Sequence, residues 1–320
     1  MSDNGLKSGS NLEKVLKAGH FAFTGECGPP KGANVEHLKE KFEHLKGIVD
    51  AVNITDNQTA VVRMSSTAAS AIMVAQGLEP NFQMVCRDRN RLAIMADILG
   101  AYSLGIRNML CLSGDHQQFG NHPEAKNVFD IDSMQLIALV KMMRDEGTFM
   151  NGEDIDVPPK LFIGAASNPF ADPYEFRIYR LANKIDAGAD FIQTQCIYNM
   201  ERFRDFMKRA VDMGLTEKTY ILAGVTPMKS TRMAQYMAKK VPGIDVPESL
   251  VERLKGAGKG KQAEEGIRFA IEQIEEFKEM EGLAGVHLMA IEWEHKVPEI
   301  AERANMLPRP KFDEFVKSPI

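Results

Sequence analysis

The chain has 320 residues, 44% of them hydrophobic and 26% charged, with a formal net charge of −5. This is ample material for a core, and the acidic balance excludes the basic footprint that duplex nucleic acid or an anionic membrane surface requires. Small-molecule chemistry becomes the default reading.

No stretch approaches the roughly 20 apolar residues of a membrane-spanning helix, and the start MSDNGLKSGSNLEK lacks the apolar centre of a signal peptide. A cytoplasmic protein with no membrane partner is expected. Cys27, Cys86, Cys111 and Cys196 stand far apart, without CxxC or a Cys/His cluster, which argues for reduced thiols over a zinc site or disulfide framework. The 19 methionines recur at helical core spacings and read as packing.

In chain order, residues 1–19 read as a polar, loosely held lead-in with a short helix over 11–18. The stretch FAFTGECGPP (21–30) follows as a buried strand ending in a lone carboxylate, Glu26, because Cys27-Gly28-Pro29-Pro30 cannot continue a ladder. Helical spacing covers 35–45, and IVDAVNI (48–54) is the second strand. A helix over 64–76, a strand over 81–86 and a helix over 91–104 come next. NMLCL (108–112) is the fourth strand, and the aperiodic segment 116–130 is a long loop. A helix over 133–145 leads, past a polar insert at 147–159, to a strand over 160–165 and a helix over 173–187. Strands over 191–195, 219–223 and 285–290 alternate with helices over 200–211, from 229, over 247–280 and over 297–304. Eight strands alternating with helices, without repeats or a linker, predict one (β/α)8 TIM barrel domain over 1–320. A doubly wound sheet is the alternative, but no GxGxxG follows the first strand. Gly256–Lys261 lacks Walker spacing and reads as a flexible loop.

In such a barrel the C-terminal strand ends form the mouth, which gathers Glu26, Thr55, Asp56, Gln83, Ser113, Asp115, Asn168, Gln195, Glu292 and Glu294. Carboxylates with a glutamine, and no nucleophile-and-base pair or metal cluster, fit proton transfer to a heterocycle better than hydrolysis. A carboxyl group in partial burial can supply such a proton. No side chain can deliver a hydride, so redox chemistry needs a borrowed cofactor. Position alone leaves Glu26 equally readable as a solvated loop residue.

The pieces GECGPPKG, NITDNQTA, MVCRDRNR, NMLCLSGD, KIDAGADFIQTQ and AGVTPMKS, in that order, resemble the 5,10-methylenetetrahydrofolate reductase family over about residues 14–308. The resemblance implies a flavin in the barrel mouth, FAD with FMN as the alternative, and a methylenetetrahydrofolate that accepts a hydride from flavin N5. It assigns Glu26 as the general acid toward folate N10, Asp115 as the aspartate that tunes flavin and folate, and Gln195 as a pterin contact. Thr55, Gln83, Ser113, Gly114, Asp115, Ala165, Asn168 and Lys184 fall at cofactor-binding positions. The chain departs from the family pattern where Ser113 stands for an arginine, Gln83 for a histidine, and Thr231, near Met228, for a nicotinamide-stacking aromatic residue. The implied electron donor is NADH or, more readily, an iron–sulfur or flavin-bearing partner subunit of the kind found with anaerobic relatives, in a homo- or hetero-oligomer. The Arg87–Arg91 run and the helical block 247–280 are candidate docking faces, readable also as solvated surface and barrel padding. A flavin-free pterin methyltransferase barrel and a non-catalytic subunit of a redox complex are the competing readings. His116 and His122 are loop candidates, Trp293 is expected to pack at the barrel seam, and Cys27 lacks a base to make it a nucleophile.

Overall fold

The computed structural model describes residues 5–312; the first four residues of the expected lead-in lie outside it. Eight parallel strands close into a barrel in sequence order: β1 (Ala22–Cys27), β2 (Ala51–Ile54), β3 (Pro80–Val85), β4 (Asn108–Leu112), β5 (Phe162–Ser167), β6 (Phe191–Cys196), β7 (Tyr220–Val225) and β8 (Leu283–Leu288), which pairs back onto β1. The expected (β/α)8 fold is therefore present. Among the described residues, no helix is long and apolar enough to cross a membrane.

The helices are α1 (Asn11–Lys17), α2 (Val35–Glu43), α3 (Ser66–Ala75), α4 (Arg91–Ser103), α5 (Ser133–Asp145), α6 (Arg177–Asp186), α7 (Met200–Asp212), α8 (Thr231–Lys240), α9 (Glu248–Gly256), α10 (Gln262–Lys278) and α11 (Val297–Arg303). Their starts are written locally. Asn34, Ser65, Asn90, Asn199 and Ser230 each accept a first-turn backbone N–H, and Asp132 with Gln135 forms a full capping box.

Two apolar layers follow from the strand period of two. Outward residues pack against the helices in one continuous core, while Ala22, Ala51, Leu110, Phe162, Phe191 and Leu222 fill the N-terminal end of the barrel interior. Phe162 and Phe191 stack there at 5.1 Å, and Gly164 is needed because a Cβ would lie 2.3 Å from the Phe191 ring. Leu12, Val15 and Leu16 of α1 close this end from below. The expectation of a loosely held lead-in fails for residues 5–19. Glu79 accepts the first-turn amides of Asn11 and Leu12 at 2.5 and 2.9 Å, and Glu13 accepts the amides of Lys7, Ser8 and Gly9. Apolar contact with the barrel floor, invisible in a short polar sequence, holds the segment.

The block after β7 is three helices, each burying one side. Ile267, Ala270, Ile274 and Phe277 of α10 are buried in the main core, and α8 and α9 share a smaller cluster around Met228 and Leu254.

Candidate active site

Inward positions repeat every second residue, and four of the polar residues expected at the mouth have another polar residue one level below them on the same strand. Thr24 lies under Glu26, Asn53 under Thr55, Asn81 under Gln83 and Gln193 under Gln195, and His287 of β8 joins them. These five are at most 3% exposed and form one hydrogen-bonded layer. Asn53 donates to Gln193 Oε1 at 2.7 Å, Asn81 donates to Asn53 Oδ1 at 2.7 Å, and Gln193 donates to Thr24 Oγ1 at 3.1 Å. His287 Nδ1 lies 3.0 Å from Thr24 Oγ1. The sequence reading passed over this layer; its one local signal was a polar residue two positions before Glu26, Thr55, Gln83 and Gln195.

Glu26 stands directly above the layer, its side chain 13% exposed, with Oε2 3.6 Å from His287 Nε2. It opens into a cleft of about 320 Å³, walled by Gln58, Thr59, Arg63, Glu292 and Glu294. Lys41 of α2 donates to both Glu292 and Glu294 at 3.0 Å, so those two carboxylates share a cation from behind.

A second pocket of about 180 Å³ lies at the ends of β5 and β6. It gathers Asn168, Lys184 and Gln195 with Ala166, Arg177 and Arg180. Lys184 donates to the Ala166 carbonyl at 2.5 Å, and burial, reinforced by Arg180, pushes its ammonium down to about 8. Ala165 itself faces the helices in the main core; its neighbour Ala166 is the pocket residue.

Thr55 is buried, and its Oγ1 has no hydrogen-bond partner; Gln83 is also buried, in β3. Ser113, Gly114 and Asp115 form the turn after β4. Gly114 has φ +89°, and a Cβ there would approach Val85 to 3.0 Å. Asp115 is exposed and lines neither pocket, but its Oδ2 accepts the Thr59 amide at 3.1 Å.

The Arg87–Arg91 run, considered from the sequence as an exposed docking face, is only partly exposed, and each of its arginines is paired with a carboxylate. Arg87 is buried against Asp88 at 2.7 Å, Arg89 pairs with Asp56 and Asp97 at 2.7 and 2.9 Å, and Arg91 pairs with Asp130 at 2.7 Å. Asp88 within the run, with Asp56, Asp97 and Asp130 from outside it, neutralises it, which charge counting along one segment does not reveal. His116 and His122 are exposed loop residues, with His122 beside Glu124 at 3.4 Å. Trp293 packs on the main core under Lys229, whose Nζ is 5.0 Å from the ring centre. Burial pushes the Cys27 thiol up, against a nucleophilic role.

A parallel barrel with a half-buried acid over a polar floor, and a cationic pocket across the mouth, is a small-molecule site of the (β/α)8 kind. The model of the methylenetetrahydrofolate reductase family matches residues 11–305. The chain belongs to that family. It is 24% identical to the 5,10-methylenetetrahydrofolate reductase of Pectobacterium carotovorum over 74% of each chain. It is also 24% identical to the probable methylenetetrahydrofolate reductase (NADPH) of Caenorhabditis elegans, over 76% of this chain and 36% of that one. The match to methylenetetrahydrofolate reductase 2 of Schizosaccharomyces pombe is 26% identical and takes in 92% of this chain and 47% of the other, so this chain spans less than half of these eukaryotic relatives. Among solved structures, a Clostridium thermocellum protein described as binding two copies of 5-methyl-5,6,7,8-tetrahydrofolic acid has the same fold. Its TM-score is 0.61 at 14% identity, over 93% of this chain and 99% of that one.

Proposed function

We propose that this protein reduces 5,10-methylenetetrahydrofolate to 5-methyltetrahydrofolate with a bound flavin, FAD in preference to FMN. The observation that carries the reading is Glu26, an acid group set at the mouth of a barrel of this family with only a narrow opening to solvent. The residues present fit a flavin: Thr55 Oγ1 is a buried hydroxyl awaiting a partner, and Arg177, Arg180 and Lys184 converge where a phosphate-bearing group would be held. When bound, the flavin supplies the hydride that no side chain can.

The chain's own groups do the rest. Glu26 gives its proton to folate N10, so that the N10–methylene bond breaks and the electron-poor iminium carbon at N5 is exposed to reduction. Gln195 hydrogen-bonds the pterin beside the Asn168 and Lys184 cofactor seat, with which it shares a pocket. Asp115, held by the amide of Thr59 at the edge of the Glu26 cleft, is the residue the family resemblance assigns to tuning flavin and folate. The electron donor in this reading is a partner protein bearing iron–sulfur clusters or a flavin rather than NADH, because Thr231 offers no aromatic face to a nicotinamide.

The visible spectrum of anaerobically purified protein tests this, followed by titration with 5-methyltetrahydrofolate and separately with NADH. A flavin band bleached by the folate alone is the expected result. A protein that stays colourless after reconstitution with FAD or FMN overturns the reading and favours the methyl-transfer barrel. Glu26→Gln is expected to accept electrons at the flavin yet lose the folate step by about 10²–10⁴-fold; unchanged folate turnover would remove the acid from Glu26.

A further inference from the structure

Arg63 is a cation of the Glu26 cleft that no carboxylate answers. Its backbone amide donates to Asn57 Oδ1 at 3.0 Å and its Nη1 to the Pro29 carbonyl at 2.9 Å, so the loops after β1 and β2 fix the guanidinium in place. Its Nε is buried and has no hydrogen-bond partner among the described residues. Arg63 forms no ion pair there either, although Glu26, Glu292 and Glu294 line the same cleft. Lys41 accounts for two of these carboxylates, since it donates to Glu292 and Glu294 at 3.0 Å each. A buried donor left unpaired is costly, and a guanidinium held with open N–H groups beside a cleft is matched by a carboxylate brought in by a ligand.

The strand order says which part of a substrate reaches Arg63. β1 pairs with β2 and β8, and the cleft is built from the loops after these three strands, with Gly28, the segment 58–63 and the segment 291–294 as its walls. β5 and β6, which carry Gln195 and the second pocket, lie on the other side of the barrel. A folate with its pterin at Gln195 and its N10 at Glu26 therefore sends whatever N10 carries into the cleft. N10 carries a p-aminobenzoyl ring and, beyond it, a glutamate. Val61 and Ile291, the latter 44% exposed, offer apolar walls to the ring. The cleft volume of about 320 Å³ is near the lower bound for small-molecule pockets, in keeping with a seat for half of the substrate. We propose that Arg63 binds a carboxylate of the substrate's glutamate and makes this protein selective for folates over pteroates, which lack that tail. The inference rests on the folate reading given above, and it makes Arg63 a binding residue with no part in proton or hydride transfer.

Anaerobic calorimetry on the dithionite-reduced holoenzyme, whose flavin is already reduced and takes no hydride from the ligand, reads binding alone. The two ligands are 5-methyltetrahydrofolate and 5-methyltetrahydropteroate, the same molecule without its glutamate. The wild type is expected to bind the first about 10- to 100-fold more tightly, the scale of a hydrogen bond to a charged group, and Arg63→Met to bind both with the weaker affinity. Arg63→Lys keeps the charge and loses the planar fork; it should show an intermediate preference, and it carries the test if Arg63→Met does not fold. A wild type indifferent to the tail, or an Arg63→Met that keeps the full preference, overturns the proposal. Bleaching of the oxidised protein by 5-methyltetrahydrofolate is followed separately. Binding with the expected preference but without bleaching fails the reduction reading and leaves Arg63 in its role, while a wild type that binds neither ligand overturns both.

Discussion

Lys184 turns its ammonium inward onto the Ala166 carbonyl, between Arg180 and the floor of the second pocket. Because burial and Arg180 push it down to about 8 from an ordinary 10.5, it is cationic at pH 7 and becomes neutral just above the physiological range. The unfolded chain then binds more protons than the folded one between these two values, so this residue makes the fold more stable as pH rises from about 8 to 10.5. Its hold on an anion runs the other way. We expect flavin affinity, followed by fluorescence quenching on reconstitution of stripped protein, to fall by about tenfold across pH 8, the scale of one charge-assisted hydrogen bond. Lys184→Met should bind weakly at pH 7 and show no such step. A wild-type affinity flat through pH 8 would place the anion elsewhere.

At the scale of elements, the turn Gln58–Ala60 and the residues after it strap three loops of the mouth together. Thr59 holds Asp115, the Val62 amide donates to Asn121 at 3.1 Å, and Arg63 and Met64 donate to the Pro29 and Pro30 carbonyls at 2.9 Å. Asn57, Thr59 and Ala60 all have left-handed φ, of 45°, 56° and 55°, a conformation kept only where surrounding contacts over-determine it. One such contact is Gly120, where a Cβ would fall 1.8 Å from the Ala60 carbonyl oxygen. Gly120→Ala must therefore push the strap away from Asp115. The expected outcome is a weaker Kd for 5-methyltetrahydrofolate and a stability loss of about 1–3 kcal/mol. An unchanged Kd would show that the Thr59–Asp115 contact does not shape the folate site.

For the whole molecule, chemistry and stability sit at opposite ends of the barrel. Both ends of the described chain clasp the floor: α1 through Glu79, and Arg309 through Asp50 and the Phe21 carbonyl. Burial pushes the Glu79 carboxyl up to about 7 from 4.5, although the amides of Leu12 and Asn11 and the Asn108 side chain favour its ionised form. The folded state then binds the extra proton between 4.5 and about 7, so stability declines as pH rises through that window. Glu79→Gln should flatten the dependence of Tm on pH between those limits while leaving the folate half-reaction as in the wild type. A parallel loss of folate chemistry would contradict the separation of floor from mouth.

The sequence alone determined the barrel, because eight apolar strand runs alternating with capped helices are local patterns, and helix starts such as Asp132 with Gln135 need no distant partner. It also placed Glu26, since Gly-Pro-Pro ends the strand just beyond it. What only the tertiary structure decided depends on residues far apart in the chain. The Thr24–Asn53–Asn81–Gln193–His287 layer closes when five strands bring single polar residues to one level, and the Arg87–Arg91 run loses its charge to Asp56, Asp97 and Asp130. The lead-in is anchored for the same reason. Hydrogen bonds, ion pairs and buried area are properties of neighbours in space, and a closed barrel makes neighbours of residues that the chain keeps up to 288 positions apart.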